Sequence, residues 1–239
     1  MTSILQWSAL IVCLACSLWR VPSLLKGRNR GLSWAFILAT VSVALSLPAI
    51  YLPVDALLGG INLANVVLRL SIFGVFFLLT SRVAAAYHSP LARTLIRGPL
   101  GVAVLAISSL GLCVSYVLAD VDGSSTGLVA FTNQSAVAAY SWFGVAYTTY
   151  AAACVVVATA KATLSRRPVV DRAAAFFLLA GFSLVCATVP LRIPRWANWQ
   201  AVDIMNFTAI LLVALGLVLV WLSFIRRPVA SSTQLSRQE

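Results

Sequence analysis

"NLANVVLRLSIF", residues 62–73, lies in an apolar run of membrane-span length, yet it holds Asn62, Asn65 and Arg69. A charged side chain near the centre of a bilayer costs roughly 2.5–3.5 kcal/mol on insertion scales. The rest of the chain must say whether this run crosses a membrane and what holds the arginine there.

Composition answers the first part. The 239 residues are 61% hydrophobic and 10% charged, with mean hydropathy +0.97. A soluble domain is typically about 25% charged. A chain of this size cannot hide such a deficit in a core, because the surface of a small protein has to be solvated. The solvent is therefore mostly lipid. Seven apolar segments approach the ~20 residues a spanning helix needs. They cover about 3–19, 32–53, 61–82, 99–119, 137–160, 173–191 and 201–224. The predicted fold is all-α: one polytopic domain over 1–225, a bundle of seven transmembrane helices, with a short polar tail over 226–239. The first segment has no basic residues ahead of it and no small-residue cleavage site after it, so it reads as a membrane helix and not as a leader.

The net charge of +11 does not point to nucleic acid, because the basic residues fall between the apolar runs and form no single patch. Fourteen of the seventeen lie in alternate connections and the tail. They are Arg20, Lys26, Arg28 and Arg30; then Arg82, Arg93 and Arg97; then Lys161, Arg166, Arg167 and Arg172; then Arg226, Arg227 and Arg237. The second and fourth connections carry Asp55, Asp120 and Asp122 instead. By the positive-inside rule the N-terminus lies outside and the C-terminus in the cytoplasm. The location expected is the cell membrane of a bacterium.

Chemistry is sparse. His88 is the single histidine, and haem ligation across a bundle needs paired axial ligands. The lysines, Lys26 and Lys161, sit in cytoplasmic connections and not in a late helix, as a retinal Schiff base would need. Cys13 and Cys16 form a CxxC, but inside an apolar helix this spacing places two small side chains on one face for packing. No metal motif, disulfide framework or phosphate cradle is present. Of the acids, only Asp203 reads as embedded. Catalytic residues, metal and cofactors are not expected, and neither is an enzyme.

The polar residues converge near the outer face. Asn62, Asn65 and Arg69 at i, i+3, i+7 fall within about 60° on a helix, and Arg69 lies about 12 Å deep. The seventh helix brings Asp203 and Asn206 from the same side. The fifth brings Tyr140, Tyr147 and Tyr150 on one stripe. A bidentate Arg69–Asp203 pair would offset much of the desolvation. The cluster Asn62, Asn65, Arg69, Tyr140, Tyr147, Asp203 and Asn206 would fix helix packing, line an outward-facing site for a small-molecule ligand, or contact a membrane-protein partner or a second copy. The outer connection 120–136 is Gly/Ser/Thr-rich and reads as irregular. It holds a formal glycosylation sequon at Asn133. "LRIPRWANWQ" (191–200) reads as an interfacial anchor through its tryptophans.

The basic connection "KGRNRGLSWAF", the short outer loop into "NLANVVLRL", and the tyrosine helix running into "KATLSRRPVVDRAAAFFLLAGFSLV" resemble actinobacterial seven-helix membrane proteins labelled as transporters without proven function. The resemblance spans most of the chain. Longer members of that group continue into a cytoplasmic region that this sequence lacks, and the resemblance implies no catalytic residues. The function expected is a non-enzymatic accessory or sensory subunit. The alternative is a small-solute or ion transporter, against which Pro48, Pro53 and Pro190 interrupt helices only near their outer ends.

Overall fold

A computed structural model describes residues 2–27, 30–192 and 199–226. Arg28, Arg195, Trp196, Arg227 and Arg237, with the rest of the polar tail, lie outside the described residues. What is described is helical throughout: α1 (Thr2–Leu25), α2 (Arg30–Leu45), α3 (Pro48–Leu57), α4 (Leu63–Ala86), α5 (Pro90–Arg97), α6 (Pro99–Val117), α7 (Ser135–Thr163), α8 (Val169–Ala187) and α9 (Trp199–Arg226). Six of these helices are long and apolar enough to cross a membrane: α1, α4, α6, α7, α8 and α9. The protein is a multi-pass membrane protein. Its large apolar side chains point outward on the spanning helices; Trp19 of α1 is 70% exposed and Ile107 of α6 is 64% exposed. A monomer in water does not carry apolar surface on this scale.

The predicted helix over 32–53 is not one rod. It breaks at Ser46–Leu47, and α2 and α3 meet at 95°. Leu47 is extended (φ −88°, ψ 120°), as a residue before proline prefers, and Pro48 opens α3 without needing a backbone donor. α5 is an element the sequence reading passed over as connection. Ser89 caps it, its Oγ accepting from Ala92 N at 3.4 Å. Ala92 and Ile96 are buried, while Leu91 and Arg93 are exposed. Tyr150 of α7 donates to Leu95 O at 2.7 Å and ties α5 down. The tyrosine stripe is therefore split along the length of α7. His88, in the turn before α5, is exposed.

The packing closes a ring. α1 lies against α2, α2 against α4, α4 against α7, α7 against α8, α8 against α9, and α9 returns to α1. α6 stands outside this ring, packed on α7 and α4. Small residues permit the closest approaches. A Cβ on Gly181 of α8 would lie 2.6 Å from Val213 Cγ2 and 3.0 Å from Ala209 O of α9; one on Gly216 of α9 would lie 3.1 Å from Ala174 O of α8. The apolar core is distributed around the ring. Leu79, Ala152, Val155, Leu178 and Phe182 join α4, α7 and α8, and Ala9, Cys13, Val43 and Phe207 join α1, α2 and α9.

Candidate functional site: a polar-ended cavity

The stripe Asn62, Asn65, Arg69 divides by depth. At its first turn lies Asp55, read from sequence as a loop acid and in fact 0% exposed. Asp55 Oδ2 accepts from Asn62 N at 3.0 Å and from Ser124 Oγ at 2.6 Å; Oδ1 accepts from Ala64 N at 3.1 Å. A carboxylate at the start of a helix satisfies orphan donors and opposes the positive end of its dipole. Gly59 (φ +100°) and Gly60 (φ +70°) supply the left-handed turn that brings Asp55 back under α4.

Asn62 itself has φ +61°. Its Oδ1 accepts from Tyr51 OH at 3.0 Å and Ser125 N at 2.6 Å, while Nδ2 donates to Val121 O and Gly123 O at 3.1 and 2.7 Å. Asn65 Nδ2 donates to Tyr51 OH at 2.5 Å and Ser125 O at 3.0 Å, and its Oδ1 accepts from Gly127 N at 3.0 Å. Both amides are spent inside the protein. They clasp the 121–127 segment over the α3–α4 turn. The connection 120–136, expected to be irregular, is therefore pinned: a 3₁₀ segment covers Thr126–Phe131 and Leu128 is fully buried.

Arg69 sits one to two turns deeper and faces the hollow of the six-helix ring. That cavity measures about 1070 Å³. The guanidinium carbon lies 5.8 Å from the Tyr140 ring centroid, a cation–π distance. It also lies over Gly144, one turn further along α7, where a Cβ would come 3.0 Å from Nη1. Tyr140 is buried, and its hydroxyl has no hydrogen-bond partner of sound geometry. Tyr140, Arg192, Asp203 and Asn206 also line the cavity, with Gln6 and Thr188 beside them.

The expected Arg69–Asp203 pair does not form: among the described residues no ion pair joins them. Asp203 lies in the cavity wall near the start of α9, and the fully buried acid among the described residues is Asp55. The charge that acts on Asp203 is Arg192, which sequence reading had assigned to interfacial anchoring. Arg69 and Arg192 share the cavity wall with Asp203. Tyr147 does not join this group. It is buried away from the cavity, its ring 4.9 Å from Phe73. The sequence pattern alone did not single out Asp55, Arg192 or Gly144. Only Gly144 left a legible signal, by falling one turn after Tyr140 on a helix already carrying polar residues.

The charged lining is thus two arginines and one aspartate, with an amide (Asn206) and an unsatisfied phenol beside them. Such a set recognises a carboxylate or phosphate through charge-assisted hydrogen bonds. Among the described residues no group of three or more His, Cys, Asp or Glu could hold a metal ion. Comparison with known protein families, with curated proteins and with solved structures finds no match to this chain.

Proposed function

We propose that this chain is a seven-span protein of a bacterial cytoplasmic membrane, amino terminus outside and carboxy terminus inside. It acts without catalysis as a sensory or accessory subunit that binds a small anionic ligand in its central cavity. The bent α2–α3 pair counts as the seventh crossing. The observation that carries the reading is the 1070 Å³ cavity with Arg69, Arg192, Asp203 and Asn206 at one end. A volume of this order holds a small-molecule ligand. The basic connections at the opposite end support an outer position for the polar end of the cavity.

A second reading, a small-solute transporter, is favoured by one feature. The 95° break at Ser46–Leu47 leaves a bent helix beside the cavity, the kind of discontinuity transporters use near a substrate site. One pair of experiments separates the two. Extraction in mild detergent followed by mass spectrometry should recover a stoichiometric membrane-protein partner if the chain is a subunit. The purified protein in sealed liposomes should then move no solute. Flux by the lone chain, lost on Arg69→Ala, would establish the transporter reading instead.

A further inference from the structure

The cavity is chemically two-ended. Its charged groups and its unsatisfied phenol gather around Arg69, Arg192 and Tyr140. Away from them the lining turns apolar: Phe76 and Leu79 on α4, Phe182 on α8, Val213 and Leu217 on α9, Phe36 on α2. Several hydroxyls in the walls offer little to a ligand, because they donate to carbonyls of their own helices. Ser42 donates to Ala39 O, Thr148 to Gly144 O, and Thr188 to Val185 O. Ten residues separate Arg69 from Leu79, so the apolar part runs about 15 Å along α4. A compact polar anion would leave that length empty or wet, and an apolar void of this kind favours an apolar occupant. At the polar end Arg69 lies in the wall beside the Tyr140 ring, and Arg192 and Asp203 line the same end. The wall also includes Trp142 of α7, which is 44% exposed, and the cavity is only partly enclosed by the bundle.

We infer that the occupant is a single-chain amphiphilic anion. Its carboxylate or phosphate lies between Arg69 and Arg192, within reach of the Tyr140 hydroxyl, and its alkyl chain lies along the apolar walls toward Leu79 and Leu217. It enters from the outer leaflet past Trp142. This rests on the reading that the cavity is a ligand site, and it adds the chemical class of the ligand.

The test uses the full chain in nanodiscs of zwitterionic lipid, with empty nanodiscs as the partitioning control. Binding is followed by tryptophan fluorescence and by the thermal unfolding midpoint. The probes are dodecanoate and dodecyl phosphate; dodecanol and dodecyltrimethylammonium, which lack the anionic head; and acetate and inorganic phosphate, which lack the tail. Either tailed anion should bind at least about tenfold more tightly than every comparator, the scale of one charge-assisted hydrogen bond. The carboxylate and phosphate arms tell which head the site prefers. Arg69→Ala should remove that advantage. Ala214→Phe, which fills the apolar wall eleven residues along α9 from Asp203, about 16 Å away, should weaken the tailed anions about tenfold and decides the matter if Arg69→Ala does not fold. If acetate or phosphate binds as well as the tailed anions, the ligand site stands and the amphiphile is overturned. Equal binding of dodecanol or of the ammonium overturns the anionic head. If no probe binds beyond the empty-disc control, both the ligand site and its amphiphile fall together.

Discussion

At Asp55 one carboxylate accepts two backbone amides of the start of α4 and a serine hydroxyl of the loop above it, with no exposure to solvent. Removing it orphans buried donors, each worth about 1–3 kcal/mol. Asp55→Ala should therefore destabilise the protein by roughly 2–4 kcal/mol. It should also open the 121–127 segment to protease, while Asp122→Ala, at an exposed acid nearby, changes neither. Unfolding midpoints and limited proteolysis check this. Arg69 answers to a different neighbour. Gly144→Val would place a side chain where the guanidinium now lies, 3.0 Å from the added Cβ. Since that guanidinium is the end of a flexible side chain, it can yield. The variant should fold within about 1–2 kcal/mol of the parent but lose anion binding as Arg69→Ala does. The stripe of Asn62, Asn65 and Arg69 was legible because helical periodicity alone sets it. The division of labour within it was not. Asn62 and Asn65 are occupied by carbonyls and amides some sixty residues further along the chain, and nothing local marks them. Asp55 looked like any loop acid for the same reason.

Individual helices show where the pattern of hydrophobicity suffices and where packing decides. Apolar runs located six spanning helices with ends within a few residues, since lipid requires length and apolarity and little else. The same signal ran straight through Ser46 and Leu47, because a bend keeps both halves apolar; Pro48 was the mark of the break. α5 escaped because eight residues between two prolines give no span-length run, although Ser89–Pro90 is a helix start. Its anchorage can be measured. Tyr150→Phe removes the hydrogen bond to Leu95 O and should cost about 1 kcal/mol. It should speed amide exchange in 90–97 while leaving binding of the anionic probes unchanged. The α8–α9 contact is less forgiving. Gly181→Leu would drive a side chain into Val213 and the backbone of Ala209, where a Cβ alone already stands at 2.6 and 3.0 Å. Backbone cannot yield as a side chain end does, so this variant should fail to give a monodisperse protein in detergent. Gly181→Ala should lower the unfolding midpoint, at about 1–3 kcal/mol.

Across the whole molecule, ring closure is the property that makes a cavity, and it depends on α1 meeting α9, the most distant pair of helices in the chain. No periodicity announces that contact, so the bundle was legible in the sequence and its hollow was not. What the sequence does carry at this scale is an alternation of charge along the chain. Apart from Arg69 and Arg192, the basic residues of the described connections follow the helix ends opposite to those next to Asp55, Asp120 and Asp122. The clasp of Asn62 and Asn65 on 121–127 fixes the α3–α4 turn to the same end as Asp122. If the positive-inside rule orients the chain, that end is extracellular. Cysteines at four exposed sites test it: Leu57→Cys and Asp122→Cys at the acidic end, Lys26→Cys and Arg166→Cys at the basic end. The five native thiols lie within the spanning helices and none is exposed, so a membrane-impermeant maleimide should leave them unlabelled. Positions 57 and 122 should react in intact cells, and positions 26 and 166 only after permeabilisation. The reverse pattern would invert the protein and place Arg69 on the cytoplasmic side. Reaction of 26 and 57 from the same side would mean that the bent pair α2–α3 re-enters without crossing. The chain would then cross six times, with both termini on one side, and the entry of an amphiphile from the outer leaflet would have to be abandoned with it.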